Sequence, residues 1–186
     1  MILTYAKGQF DAEKIAREIN SLRADGSCEV LKLDVFDKAQ LDLVRLRGEV
    51  TELYYFATPQ IFKQHSEGFS SSTFSRFIHA YVIAFAAICK SLTGDRRLSV
   101  FYPSSIYVEQ RPKGMTEYAM AKAAGEILCA DLNDEHKNIL FKVVRLPRVL
   151  TDQTATVVAE DSADALSIML PIVRSMPRDC ERKTHC

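Results

Sequence analysis

Two periodicities alternate along the 186-residue chain. The apolar run "MILTY" gives way to "DAEKIAREINSL", in which Ile15 and Ile19, with Ala12, Ala16 and Leu22, line one helical face. Asp11 stands where an N-cap for that helix belongs. "CEVLKLDV" is β-branched and predicts a strand, "KAQLDLVRL" a second helix, and "VTELYYFAT" a third strand. "SSTFSRFIHAYVIAFAAICKSL" predicts a long helix, apolar on most sides and therefore buried or set against another subunit. "RLSVFYPS" and "ILFKVVRLP" predict strands flanking a helix that carries Tyr118, with Thr116 as its N-cap. "EDSADALSIMLPIVRS" predicts a last helix, capped near Asp161 and Asp164, that Pro171 must kink or end.

Strands and helices in this order predict an α/β fold: a doubly wound parallel sheet of about five or six strands, covered by helices on both faces to make three layers. The strands read as continuous apolar runs, as a doubly covered sheet requires. No repeat or linker divides residues 1–175, which are expected to form a single domain, and 176–186 are a polar tail. Lys+Arg and Asp+Glu both number 24, so no overall field gathers nucleic acid or anionic lipid. Five cysteines without a C-x-x-C, and four scattered histidines, fit free thiols in a reducing cytoplasm and no metal site. The run "AYVIAFAAICKSL", broken by Lys90, is short for a bilayer span, and "MILTYAKGQFD" lacks the features of a signal peptide. The expectation is a cytoplasmic protein with neither a membrane nor a nucleic acid as partner.

In a parallel sheet of this kind chemistry gathers at the C-terminal ends of the strands. "RLSVFYPSS" ends in Ser104 and Ser105, and the following helix, "MTEYAMAKAAGE", holds Tyr118 and Lys122 four residues apart on one face. Bringing a tyrosine from its usual ~10 to about 7 requires roughly 4 kcal/mol. A lysine ammonium about 4 Å away supplies roughly that much at an effective dielectric near 20. The pair is therefore energetically adequate for acid–base work near neutral pH. The same spacing is also that of a half-buried tyrosine beside a surface lysine.

Ser105, thirteen residues before Tyr118, completes a combination that resembles the short-chain dehydrogenase/reductase family, with its serine and its Tyr-x-x-x-Lys. "LKLDV" is similar to the family's Asp-hydrophobic step beside the adenine, falling on Asp34 and Val35; in "YYFAT", Ala57 matches the segment after the family's fourth strand. Pro147 in "VVRLPRV" matches the proline beside the nicotinamide, and "EDSADAL" resembles a late family helix. The resemblance covers most of the chain to about Ser175 and implies a Rossmann-like domain. It implies catalysis by Ser105, Tyr118 and Lys122, and cofactor binding by Asp34, Val35, Ala57, Tyr118, Lys122 and Pro147. The cofactor it implies is NADP or NAD, with Lys7 placed to favour a 2′-phosphate, and the substrate a small carbonyl or alcohol. Family members typically dimerise through the long helix and the Tyr118 helix, which implies a homodimer here.

Three departures stand beside the resemblance. No glycine-rich turn follows the first strand; aligned by its later motifs, the chain starts at the family's second strand and is N-terminally truncated relative to it. Tyr81 occupies the position of the asparagine that holds a relay water, and Pro147-Arg148 replaces Pro-Gly. The family strand order, 3-2-1-4-5-6, then loses the strand between 2 and 4. Either the gap closes to give 2-1-3-4-5, or a missing N-terminal segment or another chain fills it. Three functional readings follow: an NAD(P)-dependent oxidoreductase, incomplete for cofactor binding; a fragment or subdomain of a larger polyketide- or fatty-acid-type reductase; and a non-catalytic, dimerising relative, for which Ala121, Ala124 and Gly125 allow close helix approach.

Overall fold

The computed structural model describes residues 1–22, 27–39, 50–61, 68–149 and 164–177. Along these, strand and helix alternate as β1 (Ile2–Tyr5), α1 (Gln9–Leu22), β2 (Glu29–Lys32), β3 (Glu52–Tyr54), α2 (Ser71–Leu92), β4 (Leu98–Ser105), α3 (Tyr107–Gln110), α4 (Thr116–Glu135), β5 (Ile139–Leu146) and α5 (Ala165–Arg174). The helix expected over "KAQLDLVRL" falls almost wholly outside the described residues, as do Asp161 and the tail beyond Pro177. Every ladder is parallel: β1 pairs with β2, β3 with β4, and β4 with β5. The described strands thus form two sheets, β1-β2 and β3-β4-β5. Of the two arrangements left open by the sequence, closure of the gap into one sheet is not seen: among the described residues no ladder joins β1 to β3.

β4 is paired on both edges, and all eight of its residues are buried. Its one early polar side chain, Ser99, is satisfied by donating to the Pro177 carbonyl at 2.6 Å. A proline inside a central strand would normally break a ladder. Ser99 donates its N–H to Thr51 and Phe101 accepts from Tyr55, so odd residues of β4 face β3, whose ladder ends at Tyr54. Pro103 therefore lies just past that end, where no N–H is missed and its carbonyl is left for another donor.

α2 is not uniformly α-helical. Ser71–Ile78 and Phe85–Leu92 are α, and His79–Ala84 between them form a π-helical turn. Such turns leave carbonyls outside the usual i→i−4 pattern. Here the Ala80 carbonyl accepts from the Tyr55 hydroxyl at 2.6 Å and the Tyr81 carbonyl from the Tyr102 hydroxyl at 3.3 Å. Its 22 residues, with a mean hydropathy of 1.4 over an 18-residue window, would suffice to cross a membrane by length and composition, which corrects the shorter run expected from the sequence. In the fold the helix instead packs Phe77, Tyr81, Phe85, Ile88, Cys89 and Leu92 into the main core. Fully burying side chains of this size stabilises by about 1.5–3 kcal/mol each.

Helix caps differ from expectation by small steps. α1 begins at Gln9, so Asp11 lies in its first turn, where a carboxylate favours the helix dipole rather than capping it. α4 is preceded by Met115, with Thr116 already helical. Asp164 is an N-cap as expected, accepting from the Ser167 N–H at 2.8 Å. α5 accommodates Pro171 and ends at Arg174.

Candidate functional site

Ser105 closes β4, and the chain turns through α3 before α4 lifts Tyr118 back over the strand end. The Ser105 side chain accepts the Tyr107 N–H at 3.2 Å, and its hydroxyl lies near enough to the Tyr118 phenol to favour the phenolate. Tyr118 stands edge-on to the rings of Phe77 (5.6 Å), Tyr81 (5.8 Å) and Tyr107 (6.3 Å). Burial pushes its phenol above the usual tyrosine range, against the lowering effect of the nearby Ser105 hydroxyl. The structure therefore brings Ser105 and Tyr118 together as the sequence implied, but in a site that holds the phenol protonated.

Lys122, one turn on, is 6% exposed. Its ammonium does not pair with the Tyr118 hydroxyl, although the four-residue spacing on one helical face predicts that contact. Nζ donates to the freed Pro103 carbonyl at 2.6 Å, lies 3.9 Å from the Tyr81 ring centroid, and is 5.1 and 5.9 Å from those of Tyr102 and Tyr118. Burial lowers its pKa to about 7, against the raising effects of Cys129 and Glu126. Lysine and tyrosine are thus both shifted by desolvation towards their neutral forms. The expected lowering of the tyrosine by the lysine is not what the geometry produces.

Tyr81, at the relay asparagine's position, is fully buried, and its hydroxyl hydrogen-bonds Thr58 Oγ1. It is stacked on Phe77 (5.8 Å, 5°) beneath the Lys122 ammonium, so a ring occupies the space where the resemblance implies water.

The remaining implied residues line the C-terminal strand ends. Asp34, after β2, accepts the Phe36 N–H at 2.9 Å in an Asx turn. Val35 is a core residue: it is 8% exposed and packs in the main hydrophobic cluster, and its carbonyl contacts His79 Nε2 at 3.2 Å. Ala57, after β3, is half-buried against that cluster, while Pro147, after β5, is exposed.

A second polar group borders the site and was not anticipated from the sequence. Glu126 accepts two bonds from Arg145, from Nε at 2.9 Å and from Nη2 at 2.8 Å, and one from Ser104 Oγ. Arg145 lies 3.6 Å from Glu109 as well. These bonds, the Arg145 pair foremost, hold the Glu126 carboxyl below its usual range. The spacing Tyr118, Lys122, Glu126, each four residues apart, was the available signal.

A nicotinamide dinucleotide fits one part of this site better than the other. Asp34, which the resemblance sets beside the adenine, stands just past the C-terminal end of β2, where such folds bind the nucleotide. The pyrophosphate has no matching cradle among the described residues. At the start of α1 only Gly8 is present, and a Cβ there would sit 3.6 Å from the carboxylate of Asp11, a group that repels phosphate.

Neither a protein-family model nor a curated protein sequence matches the chain. Solved structures do. An alcohol dehydrogenase from Comamonas testosteroni, specific for bulky-bulky ketones, superposes with a TM-score of 0.76 at 16% identity, covering 93% of this chain and 70% of that one. A 7α-hydroxysteroid dehydrogenase complexed with NADH and 7-oxo glycochenodeoxycholic acid superposes with a TM-score of 0.74 at 20% identity, covering 85% and 64%. A 3-oxoacyl (acyl-carrier-protein) reductase from Agrobacterium tumefaciens C58 with NADP bound gives 0.69 at 19%, covering 83% and 62%. The chain spans 60–70% of the length of the solved structures it resembles. It has the α/β fold of the short-chain dehydrogenases and reductases, with five described strands in two sheets.

Proposed function

We propose that this chain carries the proton-transfer part of a short-chain dehydrogenase/reductase site acting on a carbonyl or alcohol. The observation that carries this reading is Tyr118 set beside Ser105 at the end of β4, with Lys122 buried one helical turn beyond. A tyrosine held protonated by burial is a proton donor across the neutral range. Its phenol gives the proton to a substrate carbonyl oxygen as that oxygen becomes an alcohol, and the Ser105 hydroxyl supports the phenolate left behind. The charged fraction of Lys122, whose pKa is lowered to about 7, is the nearby proton source for that phenolate. Its Nζ is bonded to the Pro103 carbonyl and would have to leave it to reach the phenol. The hydride is what a bound nicotinamide dinucleotide supplies; with the pyrophosphate unmatched, these residues account for the proton alone. NADP is favoured over NAD by Lys7, exposed after β1.

Titration of the chain with NADPH and then NADH, followed by nicotinamide fluorescence or heat, tests this reading. Micromolar, saturable binding that Lys122→Ala abolishes is the expected result. No binding at millimolar cofactor would exclude catalysis by these residues alone.

A dimerising role has its own support. Ile83 on α2 is 55% exposed, and Met120 and Ile127, two turns apart on α4, are 46% and 65% exposed. α2 and α4 are packed side by side, so these residues fit a two-fold contact made by both helices. Sedimentation should show a dimer that Ile127→Glu converts to monomer; a monomeric wild type would remove this role.

A further inference from the structure

One buried acidic group has no part in the proton transfer. Glu117, the second residue of α4 and the neighbour of Tyr118, is 4% exposed. A carboxyl group is costly to bury unless something offsets the loss of water. Here its Oε1 accepts the Ser70 N–H at 2.5 Å, across 47 residues of sequence. Ser70 is the N-cap of α2, so the carboxyl group lies where two helices begin, and the start of each favours a negative group.

The start of α2 does not need this bond in order to form. Ser70 Oγ accepts the Thr73 N–H at 3.3 Å, the usual N-cap bond. The Ser70 carbonyl takes the Phe74 N–H at 2.9 Å, and the Phe69 and Phe74 rings pack at 5.4 Å across the cap as a hydrophobic staple. These devices are all local to the helix. The Glu117 bond comes from α4, and what it adds is a fixed height of one helix start against the other. Two turns along α2, Phe77 meets the Tyr118 ring edge-on at 5.6 Å, and Tyr81, one turn further, meets it at 5.8 Å. The pin and the two ring contacts thus lie along one seam between α2 and α4.

We infer that Glu117 is a positioning residue: it pins the start of α2 to the start of α4 and so sets where Phe77 and Tyr81 enclose the Tyr118 phenol. The inference rests on the reading of Tyr118 as the proton donor and concerns how that ring is held. Its effect on the phenol is indirect. Among the described residues, the groups that face Tyr118 are Lys122 on its own helix, Phe77 and Tyr81 on α2, Tyr107 on α3 and Ser105 on β4. Burial, the Ser105 hydroxyl and Tyr107 set its titration. Glu117 acts by keeping the α2 rings in place.

Carbon-13 NMR of the ζ carbons of labelled tyrosine tests this on the 186-residue chain without a cofactor, the Tyr118 signal being the one that Tyr118→Phe removes. In the wild type the Tyr118 phenol should titrate above the range of a free tyrosine. Glu117→Ala should bring it back towards that range and quicken exchange of the Ser70 amide at least tenfold. Glu117→Gln, whose amide oxygen can accept the same N–H, should restore both. Ser70→Ala, which removes the N-cap oxygen but keeps the N–H, should lower the melting temperature and leave the Tyr118 titration alone. A Tyr118 titration unchanged in Glu117→Ala would overturn the inference. So would one that Ser70→Ala moves as far, or that Glu117→Gln does not restore. If Glu117→Ala does not fold, the wild-type chain still decides: a Ser70 amide that exchanges as fast as those of Ser71 and Ser72 means no pin, and a slow one upholds it. Each of these failures leaves the proton-donor reading standing, whereas absence of cofactor binding would remove that reading and leave the pin.

Discussion

Lys122→Met should stabilise the fold near pH 7 by roughly 2–3 kcal/mol, with the gain fading as pH rises towards the range of a free lysine. Burial takes the lysine from 10.5 to about 7, and at ~1.4 kcal/mol per pH unit that is a cost on the order of 4–5 kcal/mol. The methionine forgoes the bond to Pro103 and the contacts with Tyr81, which returns about 2 kcal/mol of it. Below pH 7 the lysine is protonated in both folded and unfolded chains, and the folded chain bears the whole penalty. Between about 7 and 10.5 only the unfolded chain keeps the proton, so wild-type stability climbs with pH relative to the variant. Urea unfolding of both proteins across this range should give curves that converge at high pH. A difference that does not change with pH would mean that the lysine is charged and compensated. A residue that weakens its own fold at neutral pH is one whose removal should help stability and harm chemistry.

Gly125→Ala should do the opposite, destabilising by about 3 kcal/mol or more despite a gain of about 1 kcal/mol in helix propensity. A Cβ at Gly125 would fall 1.9 Å from the Tyr102 hydroxyl oxygen and 2.4 Å from the adjoining ring carbon. Tyr102 cannot swing away, because its ring is fully buried, set 4.8 Å from that of Phe85 and hydrogen-bonded to the Tyr81 carbonyl. The clash is therefore transmitted to the helix spacing between α4 and β4, and with it to Lys122. The melting temperature of Gly125→Ala should fall steeply, while Gly125→Ala with Tyr102→Val should lose less than the two single losses combined. Additive losses would show that the close approach is not real.

Much of the fold was legible because the pattern signals were local. β4 and β5 are long apolar runs bounded by polar turns, and α4 carries Tyr118 and Lys122 at a spacing that any helix places on one face. Ser105 met Tyr118 because a strand end, a short turn and a helix start leave few other arrangements. What escaped was set by partners distant in sequence. The lysine's neighbours are Pro103, Tyr81 and Tyr102 rather than the phenol oxygen, and a carbonyl freed by a proline has no signature in a lysine-tyrosine spacing. Val35 matched an adenine-contacting position by resemblance, yet the residue faces the core. The break between β1 and β3 is a matter of which edges meet, and the hydrophobic pattern of "MILTY" is the same whether that edge is covered or bare.

The π-helical turn in α2 resolves an oddity of its sequence. Phe77, Tyr81, Phe85 and Cys89 are buried at steps of four residues, and so are Ala80, Ala84, Ile88 and Leu92. An α-helix turns once in 3.6 residues, so each four-residue step over-rotates by about 40° and three steps by about 120°. A regular helix would carry the last of these residues well round its axis from the first. The looser winding at His79–Ala84 takes back part of that excess, like a vernier correcting a ruler's drift. One straight seam of aromatic and small side chains can then run the length of the helix. Deleting any single residue within that turn would restore ordinary winding and throw Phe85, Ile88 and Cys89 out of phase with Phe77 and Tyr81.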